Sequence, residues 1–96
     1  MPRGKPWEET ATGRDREVAA AFGSVLRRER ERAALSQGVL AERAGLHATT
    51  VSMLERGLRQ PSLGVTYRLS VALGYPRERL ASLTASAARA AEGPGG

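Results

Sequence analysis

The sequence predicts an all-α fold of five short helices forming one small domain, and three observations lead there. Apolar residues recur at helical spacing in successive stretches of the chain. Serines and glycines stand where those stretches begin and end. The packing material is aliphatic, because the 96 residues, 41% of them hydrophobic, include one Phe, one Trp and two Tyr; Leu, Val and Ala must fill the core. A chain of this length supports one compact domain and is too short for two independent cores.

Residues 1–14 carry prolines, glycines, mixed charges and an isolated Trp7 but no periodic apolar face, and read as a flexible arm. From Asp15 onward Val18, Phe22, Val25, Leu26 and Ala33 define the first helix, with Asp15 and Glu17 near the positive end of its dipole. Its charged residues Arg27, Arg28 and Arg32 interleave with Glu29 and Glu31, a pattern that reads as a solvated face. Leu35-Ser36 breaks the pattern, and the Ser36 hydroxyl can accept a free amide of a second helix, Gln37 to Arg43. Ala44-Gly45-Leu46-His47 makes a sharp connection, with Gly45 in the left-handed conformation that strains any residue with a Cβ. The third helix runs from Ala48 to Arg56 and stops at Gly57. Pro61-Ser62 then opens a fourth helix bearing Leu63, Tyr67, Leu69, Ala72 and Leu73, closed by Gly74. Tyr75-Pro76 admits a fifth with Leu80 and Leu83. The folded domain is expected over 15–83, followed by a tail, 84–96, that is Ala-rich and then Gly/Pro-rich; its alanines can extend the fifth helix as frayed turns.

Fifteen Lys and Arg against ten Asp and Glu leave a formal charge of +5, and the pI is near 11.0. Such a surplus is attracted to phosphate. Fourteen of the fifteen cations are arginine, whose planar fork suits phosphate and guanine edges. With no cysteine there is no disulfide framework or thiolate metal site, and the single His cannot build a zinc site alone. No metal and no cofactor are expected. An enzyme reading finds no cluster of nucleophile, base and metal ligands. No apolar run approaches a bilayer span and the N-terminus lacks a signal-peptide stretch, so a cytoplasmic protein without a membrane partner is expected.

Two short helices joined by a tight turn pack at a steep angle only if apolar side chains fill the wedge and the residue at closest approach is small. Leu40, Ala44, Leu46, Val51 and Leu54 supply the wedge, Ala41 the small contact and Gly45 the turn. A helix-turn-helix between Gln37 and Arg56 follows. The stretch LSQGVLAERAGLHATTVSMLERGLRQPSL orders Ser-Gln before helix two, Ala-Gly at the turn, Leu-Glu-Arg-Gly after helix three and Pro-Ser-Leu before helix four. In this it resembles the repressor/Cro-like (Xre) helix-turn-helix proteins, over about Phe22 to Leu83. The resemblance implies a five-helix repressor-like DNA-binding domain, double-stranded DNA as partner, a homodimer on its operator, and helix three in the major groove. The chain departs from the family's pattern at three places: Gly38-Val39 replaces two acidic residues, which removes the capping-box partner of Ser36; His47 replaces a Ser or Thr cap; and Ala48 replaces a long polar residue.

If helix three enters the groove, the residues opposite Val51 and Leu54 face the bases: Ala48, Thr49, Ser52 and Met53. Their alternative reading is small exposed helix residues. The resemblance assigns phosphate contacts to Gln37, Arg56, Arg59 and the backbone at Gly57, with Gln60 assisting. His47 caps helix three, donates to phosphate, or faces solvent. The resemblance pairs Arg30 with Glu55 in a partly buried ion pair that positions helix three. Tyr75, Leu80 and Leu83 form either a dimer surface, as the last helix does in short members of that family, or a cover over their own core. The reading that results is a sequence-specific transcriptional regulator that performs no chemistry. RNA polymerase or another protein is left open as a further partner. The alternative is a protein-interaction module, such as an antitoxin or accessory factor, on the same helical fold.

Overall fold

The computed structural model describes residues 12–92, which contain five α-helices and no strand. Helix α1 (Gly13–Arg32) begins earlier than its apolar pattern, because Thr12 and Asp15 close a reciprocal capping box. The Thr12 hydroxyl accepts the Asp15 amide at 3.1 Å, and the Asp15 carboxylate accepts the Thr12 amide at 2.9 Å. That amide bond holds the Asp15 carboxyl below its ordinary value. Residues 12–14, expected in the arm, therefore belong to the start of the domain, while Trp7 and the rest of 1–11 lie outside the described residues, as do 93–96.

Helices α2 (Gln37–Ala44), α3 (Ala48–Glu55) and α4 (Leu63–Ala72) follow. Ser36 and Ser62 cap α2 and α4 by accepting the amides of Val39 and Val65. The first four helices end alike, in a left-handed residue followed by an amide that reaches back five positions to a carbonyl. The left-handed residue is a glycine in three of these turns and Ala34, at φ 58°, after α1. The Arg30 guanidinium donates to the Leu35 carbonyl at 2.8 Å and clamps that alanine turn from outside.

Helix α5 (Arg79–Glu92) corrects the expected boundary at Leu83. Beyond it Thr84 is buried and Ala87 packs on the core, so the alanine stretch is part of the domain. The start of α5 is fixed across the fold by the buried Ser70 hydroxyl of α4, which accepts the Leu80 amide at 3.0 Å. Leu80 is fully buried and so cannot be the exposed dimer surface, and the half-buried Leu83 packs against the same core, in line with the second of the two readings, a cover over their own core. Tyr75 is spent as well: its hydroxyl donates to Glu29 at 2.6 Å.

The core joins Phe22, Val25 and Leu26 of α1 to Leu40 of α2, Val51 and Leu54 of α3, Leu69 of α4 and Leu80. Helix α1 lies against α3 and α5; α2 bridges α3 and α4. The approach of α1 to α3 is set by Gly23, where an added Cβ would stand 2.5 Å from the Leu54 carbonyl oxygen and 2.6 Å from that of Glu55. Glu29 corrects the solvated reading of its helix face, being buried with its carboxylate held by Tyr75, Arg28 and Arg32. The Tyr75 hydrogen bond chiefly holds the Glu29 carboxyl below its ordinary value, and the same bond raises the Tyr75 hydroxyl above its own.

Two outcomes follow. Gly23→Ala must push backbone from backbone and should lower the melting temperature by about 10 °C or more, whereas Gly13→Ala, which meets nothing within 4 Å, should leave it unchanged or slightly raised; equal melts for both would refute the close crossing. Tyr75→Phe should cost about 2 kcal/mol near neutrality. Because the Glu29 value is depressed, that contribution is complete above the ordinary carboxylate value of 4.5 and is lost as pH falls through the folded value. Because the Tyr75 value is raised, it is complete below 10.0 and lost as pH rises through the folded value. Denaturant titrations across pH should show the gap between parent and variant narrowing at both ends.

Candidate nucleic-acid interface

Helix α3 spans eight residues, a rod about 12 Å long, and successive side chains turn by about 100°. Val51 and Leu54 are buried against the rest of the fold. Opposite them Ala48 and Thr49 are exposed and Ser52 and Met53 half-buried, with Arg56 exposed at the end of the same stripe. The four residues expected to face bases thus share one accessible face of one helix. His47 is the N-cap residue but its side chain makes no capping bond, which removes the first of its three expected roles.

The position of α3 is governed by Glu55, its last residue. The Glu55 side chain is 3% exposed and that of Arg30 13%. Their pair is bidentate: Arg30 Nε donates to Glu55 Oε2 at 2.6 Å and Nη2 to Oε1 at 3.0 Å. The hydrogen bond to Glu55 raises the Arg30 guanidinium above its ordinary value. Gln37 Nε2 adds a third bond, to Glu55 Oε1 at 3.0 Å. Three elements, α1, the first turn of α2 and the end of α3, therefore meet at one carboxylate. The Gln37 amide, expected at a phosphate, is turned inward to this network. Gln60 is likewise engaged, donating to the Asp15 carbonyl at 3.2 Å. Gly57, at φ 70°, lies against α1, where an added Cβ would be 3.2 Å from Ala20 Cα.

From Arg43 to Arg77 the chain has a single carboxylate, Glu55, and it is the one turned inward. The exposed charges of this stretch are arginines: Arg43, Arg56, Arg59, Arg68 and Arg77. Arg56 and Arg59 directly follow the outer stripe of α3, whereas Arg43, Arg68 and Arg77 edge a separate groove between α2 and α4.

The profile of a family described as a helix-turn-helix domain matches residues 21–83. The chain belongs to the helix-turn-helix family. Two uncharacterized HTH-type transcriptional regulators of Mycobacterium tuberculosis, from strains CDC 1551 / Oshkosh and H37Rv, are each 43% identical to it over 58 residues. The alignment takes in 60% of this chain and 41% of those relatives, so the chain spans less than half their length. Among solved structures, the clp gene regulator ClgR from Corynebacterium glutamicum superposes with a TM-score of 0.69 at 26% identity, covering 78% of this chain and 82% of that one. A second crystal structure of ClgR gives a TM-score of 0.65 at 26% identity, over 72% and 90% of the two chains. The helix-turn-helix itself is α2, the Gly45 turn and α3.

Gly23 and Glu29 escaped the sequence reading. Gly23 sits inside a strongly apolar helical pattern, and such an isolated glycine is the one available signal of a close backbone approach. Glu29 is flanked by charges that made it look solvated, and nothing local reveals Tyr75 above it.

Arg30→Met should cost about 3–5 kcal/mol by leaving Glu55 buried and unpaired. Adding Glu55→Leu should recover more than half of that loss, since the buried charge is then gone as well. Thermal melts of the two variants decide the point: no loss in the single variant, or no recovery in the double, would show that the pair does not carry the contact.

Proposed function

We propose that this helix-turn-helix protein is a sequence-specific DNA-binding transcriptional regulator that inserts α3 into the major groove. The observation that carries the reading is the inward turn of Glu55, the one carboxylate between Arg43 and Arg77. It leaves a neutral α3 stripe framed by arginines, a surface a polyanion can approach without meeting an exposed carboxylate of that stretch. The regulatory character of the relatives supports the same reading.

In this reading Thr49 and Ser52 hydrogen-bond to base edges, and Ala48 and Met53 meet thymine methyl groups. Arg56, Arg59, His47, the backbone at Gly57 and the first-turn amides of α2 beside Gln37 contact phosphates. Gln60 serves the interface by holding the start of α1 rather than through its own amide. Three short side chains and Met53 per helix make a small readout surface, and specific sites need about 4 kcal/mol or more over random DNA. Two copies on half-sites about 34 Å apart supply the difference, joined through a surface other than the buried Leu80 and its neighbours.

Selection of bound sites from a random DNA pool tests the reading, with a palindrome as the expected product. Thr49→Ala or Met53→Ala should change the preferred bases while leaving the melt nearly unchanged; identical selected sites would exclude direct readout there. Arg56→Ala and Arg59→Ala should instead weaken all sequences alike and each reduce the salt slope by about 1. Sedimentation with and without the selected duplex should show two chains per site. Failure of the chain to bind any duplex in a salt-dependent way would leave the family fold without this function.

A further inference from the structure

Away from the outer stripe of α3, an open groove of about 720 Å³ lies between α2 and α4. Arg43, Arg68 and Arg77 edge it, and Ala44, Tyr67 and Val71 are among its apolar lining. No carboxylate lines it, and α3 contributes no residue to it. Val71, near the end of α4, is 60% exposed, so most of its surface is left uncovered by the described residues. Arg77 stands 5.9 Å from the centre of the Tyr67 ring, above an already apolar surface. Arg77 also approaches Glu78 at 4.0 Å, a distant and exposed pair. Among the described residues Arg43 and Arg68 form no ion pair.

We infer that this groove is a docking site for an acidic, amphipathic segment of a partner protein. Gly64, Tyr67, Arg68 and Val71 stand at i, i+3, i+4 and i+7 on α4, which puts them on one helix face. The complement of that face is a second helix whose apolar stripe lies on Val71 and Tyr67 and whose flanking carboxylates reach the arginines in fork geometry. A nucleic-acid backbone satisfies the arginines but brings no apolar group to cover Val71 and Ala44, so the lining favours a protein segment over DNA. Because the lining excludes α3, the segment can be held while α3 is occupied, and the inference stands whether or not α3 binds DNA.

The test is selection of short random peptides displayed on phage against the full chain, with Val71→Asp as counter-selecting bait. Circular dichroism of that variant should be unchanged, since Val71 lies outside the core. Enriched peptides should carry Asp or Glu around Leu, Ile or Phe at helical spacing. A labelled selected peptide should lose about tenfold or more in affinity to the Arg43→Ala/Arg68→Ala chain and to Val71→Asp. Its binding should shift the amide resonances of α4 and the end of α2, and duplex affinity should stay within about twofold in the same variants. No enrichment over the counter-selection, enrichment of neutral or basic peptides, or resonance shifts elsewhere would overturn the inference. Loss of duplex affinity in the arginine variant would assign the groove to DNA instead. A change of sedimentation from dimer to monomer on Val71→Asp would assign it to a second copy.

Discussion

The bidentate contact between Arg30 and Glu55 sets the angle at which α3 leaves the body of the protein, and the geometry of the interface depends on that angle. Glu55 stands at the C-terminus of α3, where the helix dipole disfavours a carboxylate. It is also nearly inaccessible to water, so its charge must be met within the fold. Arg30 meets it with two bonds and Gln37 with a third. The same guanidinium holds the Leu35 carbonyl across the alanine turn that ends α1. Arg30 therefore ties the end of the longest helix to α3 and to the turn that leads into α2, and Gln37 joins α2 to the same carboxylate.

Steric limits complete what this charge pair begins. Gly23 lets the α1 backbone reach the carbonyls of Leu54 and Glu55, and Gly57 lets the chain leaving α3 pass Ala20. Side chains at either place would lift α3 away and lengthen the bonds between Arg30 and Glu55. Close approach and ion pair thus reinforce each other: the glycines allow the distance that the charges require. The Glu29–Tyr75 bond also joins the C-terminal end of that helix to the turn between α4 and α5. Two buried carboxylates, Glu29 and Glu55, therefore fasten the end of α1 to the α4–α5 turn and to α3.

These arrangements also sort the charges. Burial of Glu55 removes the one carboxylate of the Arg43–Arg77 stretch from the surface. The remaining acids of the described chain lie on α1, on α2 at Glu42, and beside or within α5. A net charge of +5 spread evenly would attract polyanions only weakly; segregated around α3 and the α2–α4 groove, it creates two cationic surfaces of different lining. Around α3 the surface between the arginines is small and mixed, and in the groove it is apolar.

Helix count, the serine caps, the Gly45 turn and the apolar wedge were legible in the sequence because each is a local pattern: a period of 3.6 residues, a hydroxyl before a helix, a glycine after one. The pairing of Arg30 with Glu55 was legible through likeness to a family, since no local rule joins residues 25 positions apart. The start of α1 was misplaced by two residues because a capping box outside the apolar pattern set it. Whether a residue on an amphipathic face meets its own core or another molecule is invisible to periodicity, and here the fold alone decided it. Leu80 lies under α4 and Thr84 is buried with it, whereas Val71, with the same apolar character, is left uncovered. The sequence by itself determined which residues could be buried; the tertiary structure decided which of them found a partner, because burial is a property of the neighbours that long-range packing brings, not of the residue.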